Sequence, residues 1–264
     1  LVIDVAGEAE RTLLATPIPE GPENTTSFRF DAALLGRGLN ALKAARLLCE
    51  EGFWEIAAGA VRQVFDLVLD AEAVSRHPDR HAAISRYVGF GLLQRLRRER
   101  AYLAYEVKMG RPVDTERAEI LDTMLLRGFK GLRGPKGGWL PTWTGKKSRD
   151  LAKASEHGLR LDEYEILYAD WSDETHAAPA AVFASVFQTD EDFDALIQSE
   201  LLRSAEILSS AMNQLLELWH LLPEVPNPNP NDERRWRESM LVWIAALRTE
   251  LESPEVSESG EPRC

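Results

Sequence analysis

Residues 53–77 read FWEIAAGAVRQVFDLVLDAEAVSRH. A helix drawn through this run is apolar around most of its circumference, interrupted by Arg62, Asp66 and Asp70. A surface helix confines its apolar side chains to one stripe, so a run this apolar predicts a central helix enclosed by others. Charges on such a helix need partners, because an unpaired buried charge is strongly destabilising. Asp66, one turn beyond Arg62, can neutralise it.

The flanking sequence has the same helical period. From Phe28 to Glu51 the apolar residues Leu34, Leu35, Leu39, Leu42, Ala45, Leu47 and Leu48 recur at steps of three and four, with Gly52 as the stop and Ser27 or Asp31 as the start. Residues 1–14 form a shorter amphipathic helix, and TPIPEGPENTTS (16–27) reads as a loop. Beyond residue 77, Pro78 suits the first turn of a helix that runs to Gly110, and Asp114 starts another that ends near Gly128. The glycine- and lysine-rich stretch from Lys130 to Lys147 is the clearest break. Ser148 then caps a short helix, Leu161 to Trp171 forms the next, apolar residues lie between Pro179 and Phe187, and a long helix covers about 190–222. PEVPNPNPN (223–231) reads as a rigid linker before a last helix to residue 252.

No strand alternation and no internal repeat are visible. The expectation is an all-α fold, a single multi-helix bundle of roughly eight to ten helices. Residues 1–222 would form the bundle, 223–252 the linker and a C-terminal helix packed on it, and 253–264 a disordered acidic tail. In the last helix Trp236 and Trp243 share a face, which favours core over interface.

With 44% hydrophobic and 28% charged residues the composition is that of an ordinary soluble protein. No apolar run approaches the roughly 18–20 residues of a membrane span, and LVIDVAGEAE lacks the basic start of a secretory signal. A cytoplasmic location without membrane partners is expected; Leu rather than Met at position 1 leaves an upstream segment open. Cys49 and Cys264 alone support neither a disulfide framework nor a thiolate metal site. No HExxH, CxxC or paired ExxH pattern occurs, so neither metal nor cofactor is expected.

The net charge of −12 opposes nucleic-acid binding by the whole surface. From Arg95 to Arg149, however, 14 Lys or Arg face 6 Asp or Glu, a local +8 that leaves −20 on the remainder. That span is either a solvated basic stripe or the surface of a nucleic-acid-directed effector, such as a toxin-type ribonuclease. Helical ribonucleases of that type pair an Arg with a His across four to six intervening residues, as Arg76 and His81 do in RHPDRH. A pattern this loose is expected about once by chance, and Pro78 interrupts it. GKKS (145–148) falls one residue short of a phosphate loop, leaving a generic anion site at a helix start or a plain exposed loop.

The remaining constellation is YEILYADWSDETH, residues 164–176. On an α-helix Tyr164, Tyr168, Ser172 and His176 fan across about 120° of one side and can line a groove. His176 is close enough to activate Ser172 as a nucleophile, yet DWSDET is equally a helix start in which Ser172 caps backbone amides.

Taken together, Arg62 with an acidic residue four later, Trp143 before a basic helix, and Y-x3-Y-x3-S-x3-H resemble a bacterial family catalogued as domain of unknown function 5677. The resemblance covers about residues 35–185 and is most specific over TWTGKKSRDLAKASEHGLRLDEYEILYADWSDETH. It implies a helical fold and a shared polar cluster, with no substrate attached. Members favour Glu after the helical Arg, whereas this chain has Asp66, one methylene shorter.

If the Arg62 helix packs against the Tyr164–His176 groove, a guanidinium, a carboxylate, two phenols, a hydroxyl and an imidazole converge. The expected function is then a pocket for a small anionic ligand, with Arg62, Asp66, Tyr164 and Tyr168 binding and His176 and Ser172 carrying hydrolytic or transfer chemistry. The same residues could instead form a buried network that fixes helix register, and the chain could be a noncatalytic interaction module.

Overall fold

The computed structural model describes residues 1–169, 171 and 193–252, with the backbone alone for 193–199 and 250–252. The described residues form nine α-helices and no strand, an all-α bundle. In chain order these are α1 (Val2–Ala15), α2 (Pro22–Glu50), α3 (Trp54–Ser75), α4 (Arg80–Lys108), α5 (Thr115–Arg127), α6 (Ser148–Lys153), α7 (Arg160–Glu163), α8 (Phe193–His220) and α9 (Pro230–Glu252). None is long and apolar enough to cross a membrane. The chain divides into two compact units, Leu1–Ala71 with Asp162–Cys264, and Glu72–Leu161.

In the first unit α2 packs along α8 and α1. Leu34, Leu35, Leu39 and Leu42 of α2, and Leu215, Leu216, Leu218 and Trp219 of α8, are at most 5% exposed. Gly38 permits the closest approach: a Cβ there would stand 2.8 and 2.9 Å from the Leu215 and Leu218 methyls. Within 53–77, Val61, Val64, Phe65 and Val68 are fully buried on α3 as their pattern predicts, whereas Phe53 and Ile56 at the start of the run are exposed.

Helix α2 starts earlier than its periodicity suggests. Pro22 at its first turn follows Gly21, whose φ of 89° suits glycine, so part of the expected loop is helical. Asp31 is therefore no helix start. It is completely buried, and its Oδ2 accepts the backbone N–H of Glu224 at 3.0 Å. Together with the Trp219 Nε1–H bond to the Pro226 carbonyl (2.8 Å) and the buried Val225, this bond straps residues 223–226 onto the first unit.

Beyond the strap α9 docks on α8. Trp236 and Met240 are buried, Arg237 bonds Asn213 at 3.0 Å, and Arg237 and His220 both reach the Glu233 carboxylate. Burial pushes the Glu233 pKa up, but these hydrogen bonds outweigh it and hold the carboxyl below its ordinary value. Trp243 does not join Trp236 in the core and is 44% exposed.

Cys49 sits against the Ser204 carbonyl at 4.0 Å, and burial pushes its thiol up to about 11. A thiol so placed should react slowly at pH 8. In a Cys264→Ser variant, which leaves one thiol, iodoacetamide labelling should run at least roughly tenfold slower than with free cysteine. Labelling at the free rate would contradict this burial.

In the second unit α4 packs on α5, and Ile84, Leu93 and Leu96 of α4 and Leu121 of α5 are buried. Two expected starts shift by a residue or two. Pro78 precedes the cap rather than opening α4; Asp79 is the cap and accepts from Ala82 N–H at 2.9 Å. Ser148 is the first residue of α6 rather than its cap, because Asp150 reaches back to the Lys147 amide at 3.4 Å. That amide and Lys146 N–H, which Thr144 Oγ1 takes at 3.0 Å, are thus satisfied within the chain.

The glycine-rich stretch is an ordered loop. It contains a 3₁₀ turn at Lys130–Leu132 and a single bridge between Arg133 and Trp139. Arg133 lies 4.0 Å over the Trp139 ring and donates to the Leu125 and Gly137 carbonyls. Trp143 is buried edge-on against Tyr87, and its carbonyl accepts from Arg86 at 2.8 Å.

Candidate functional site

Helix α3 presents Arg62 and Phe65 from one side, three residues apart. Opposite them, within the same unit, stands a widened turn. Instead of continuing the α-helix read over 161–171, the backbone passes from α7 into a π turn at Tyr164–Tyr168, and Ala169 N–H reaches back to the Tyr164 carbonyl. Single π turns within helices are frequent at functional sites.

The turn alters the spacing expected for its tyrosines. Their rings stack, with centroids 4.7 Å apart and planes 22° apart. Tyr168, 7% exposed, also packs on Phe65 at 5.6 Å. Arg62, half-buried, donates from Nη2 to the Tyr168 hydroxyl at 2.9 Å while its guanidinium carbon lies 4.5 Å from the same ring's centroid. One phenol thus serves the cation through both its face and its oxygen.

The structure therefore brings Arg62, Tyr164 and Tyr168 together. Asp66 follows Arg62 by one turn on α3, half-buried and engaged in an interaction of its own. Ser172 and His176 lie outside the described residues.

A small cleft of about 40 Å³ opens beside the same turn, lined by Trp54, Leu167, Trp171, Arg203, Glu206 and Ser210 among others. It has room for a few water molecules. The Trp54 indole N–H is buried and has no acceptor among the described residues. A buried donor without a partner is costly unless a water or ligand oxygen meets it. Nothing in the sequence pattern singled out Trp54, because an aromatic residue at a helix start reads as core.

Sequence reading also missed a buried ion pair. In the second unit Arg160, 2% exposed, donates from Nε and Nη2 to Glu72 Oε1 at 3.0 and 2.9 Å. The other Glu72 oxygen lies 3.6 Å from Arg76. That contact gives Arg76 a structural partner.

A family model described as "Family of unknown function (DUF5677)" matches residues 32–194, a span that contains α3, the π turn and the whole second unit. No curated protein and no solved structure matches the chain.

Proposed function

The chain belongs to that family of unknown function, DUF5677, so its chemistry has to come from its own residues, and we propose that it recognises a small anionic ligand at Arg62, Tyr164 and Tyr168. The observation that carries this reading is the Arg62–Tyr168 contact. A hydroxyl that accepts from a guanidinium keeps its own proton to donate. A cation and an O–H donor side by side suit the oxygens of a phosphate, sulfate or carboxylate. The π turn, which carries both tyrosines, supports it.

In this reading Asp66 steadies the guanidinium, Ser172 supplies a nucleophile and His176 the acid–base step, so that hydrolysis or group transfer at a phosphate or acyl centre is the reaction class. The test is a thermal-shift screen of phosphate, sulfate, carboxylates and nucleoside monophosphates against the wild type, Arg62→Gln, Tyr168→Phe and His176→Ala. At about a hundred times Kd a ligand should stabilise the wild type by about 2.7 kcal/mol. Arg62→Gln should lose that response, Tyr168→Phe should weaken it about tenfold, and His176→Ala should keep binding while losing turnover of a chromogenic ester. Undiminished responses in the first two variants would remove the reading.

A further inference from the structure

The second unit carries a surface that the Arg62 site does not use, and ion pairing sharpens its charge. Glu99, Glu106 and Asp122 are taken up by Arg117, Arg111 and Arg100 at 2.7, 3.0 and 2.7 Å, and Asp114 caps α5. Other cations of the same span, including Arg95, Arg98, Lys108, Arg127 and Lys130, are exposed and hold no ion pair among the described residues.

Two of them share a stripe with two bare rings. Arg95, Arg98, Tyr102 and Tyr105 follow one another on α4 at steps of three, four and three, which at 100° per residue confines them to an arc of about 80° over about 15 Å. The buried Leu93 and Leu96 point to the other side of the helix. Tyr102 is 60% and Tyr105 52% exposed, and neither ring stacks on a described side chain.

Phosphates need clustered guanidinium groups, and bases need flat rings within reach of them. An acidic peptide would use the cations and leave both rings idle. A duplex keeps its bases stacked inside. The complementary partner is a polyanion with unstacked planar groups. We propose that this stripe of α4 binds single-stranded nucleic acid, its phosphates on Arg95 and Arg98 and two neighbouring bases on Tyr102 and Tyr105. The proposal stands on the second unit alone and is independent of the Arg62 reading.

Fluorescence anisotropy of the full chain tests it, with labelled oligo-U, oligo-dT and a duplex, each of about twelve nucleotides per strand. Single strands should bind at low salt, with affinity falling linearly on a log–log salt plot. Arg95→Gln/Arg98→Gln should flatten that slope by about 1.4, and Tyr102→Ala/Tyr105→Ala should weaken binding about tenfold or more with the slope unchanged. Arg97→Gln, off the stripe, should change little. Stronger binding of either oligo-U or oligo-dT supports the proposal and assigns the strand type.

All four positions on the stripe are solvent-facing, so these variants should keep the wild-type circular-dichroism melt. The proposal is overturned by absence of binding at about 20 mM salt, by a loss with Arg97→Gln equal to that of the stripe pair, or by duplex binding that ignores the tyrosines. Displacement of the oligonucleotide by polyglutamate or by phosphatidylserine vesicles in preference to unlabelled oligo-U would overturn it too.

Discussion

Replacing Glu72 with Ala should lower stability by about 3–5 kcal/mol, measured by urea denaturation followed by circular dichroism. Both partners of the Glu72–Arg160 pair are under 10% exposed, and one carboxylate oxygen accepts two guanidinium hydrogen bonds. Removing the carboxylate takes two hydrogen bonds from a buried guanidinium, and the poor solvation of that cation, more than the lost Coulomb attraction, sets the size of the effect. The double variant Glu72→Met/Arg160→Met removes both charges and should recover most of the loss. A single-variant effect under about 1 kcal/mol would mean that the Arg160 charge is carried by water or by another partner rather than by Glu72.

Trp219→Ala should cost a similar about 3–5 kcal/mol. Trp219 is completely buried on α8, among the largest such side chains, and its N–H holds the Pro226 carbonyl. Truncation opens a cavity in the first unit and frees one of the two bonds that strap residues 223–226. Trp219→Phe keeps most of the volume and loses only the donor, so it should cost about 1–2 kcal/mol. Equal losses for Ala and Phe would place the energy in the hydrogen bond rather than in the packing.

Legibility in the sequence followed the range of the forces involved. Helices α1, α2 and α3 were readable because burial of one face imposes a period, and the fully buried Val61, Val64, Phe65 and Val68 occupy the run that pattern marks as central. Starts were less readable, since Pro22, Asp79 and Asp150 act through single local hydrogen bonds or a fixed φ that several neighbouring residues could equally provide. Long-range polar contacts were not readable. Asp31 looked like a cap but bonds a residue 193 positions away, and Glu72 among alanines gave no sign of Arg160, 88 positions on.

The candidate site divides along the same line. Arg62 stood out as a charge on an apolar helix, and the tyrosines stood out by spacing, but their meeting could be written only as a condition. The π turn that stacks Tyr164 on Tyr168 depends on a backbone register that side-chain periodicity does not encode. Trp54 was silent because an unsatisfied N–H is a property of its surroundings.

The most direct measurement is a double-mutant cycle on ligand binding. The strongest anion from the screen is titrated calorimetrically into the wild type, Arg62→Gln, Tyr168→Phe and the double variant. If guanidinium and phenol hold one anion together, the two losses should be non-additive by about 0.5–3 kcal/mol. Strictly additive losses, or affinities that neither substitution changes, would contradict a shared site.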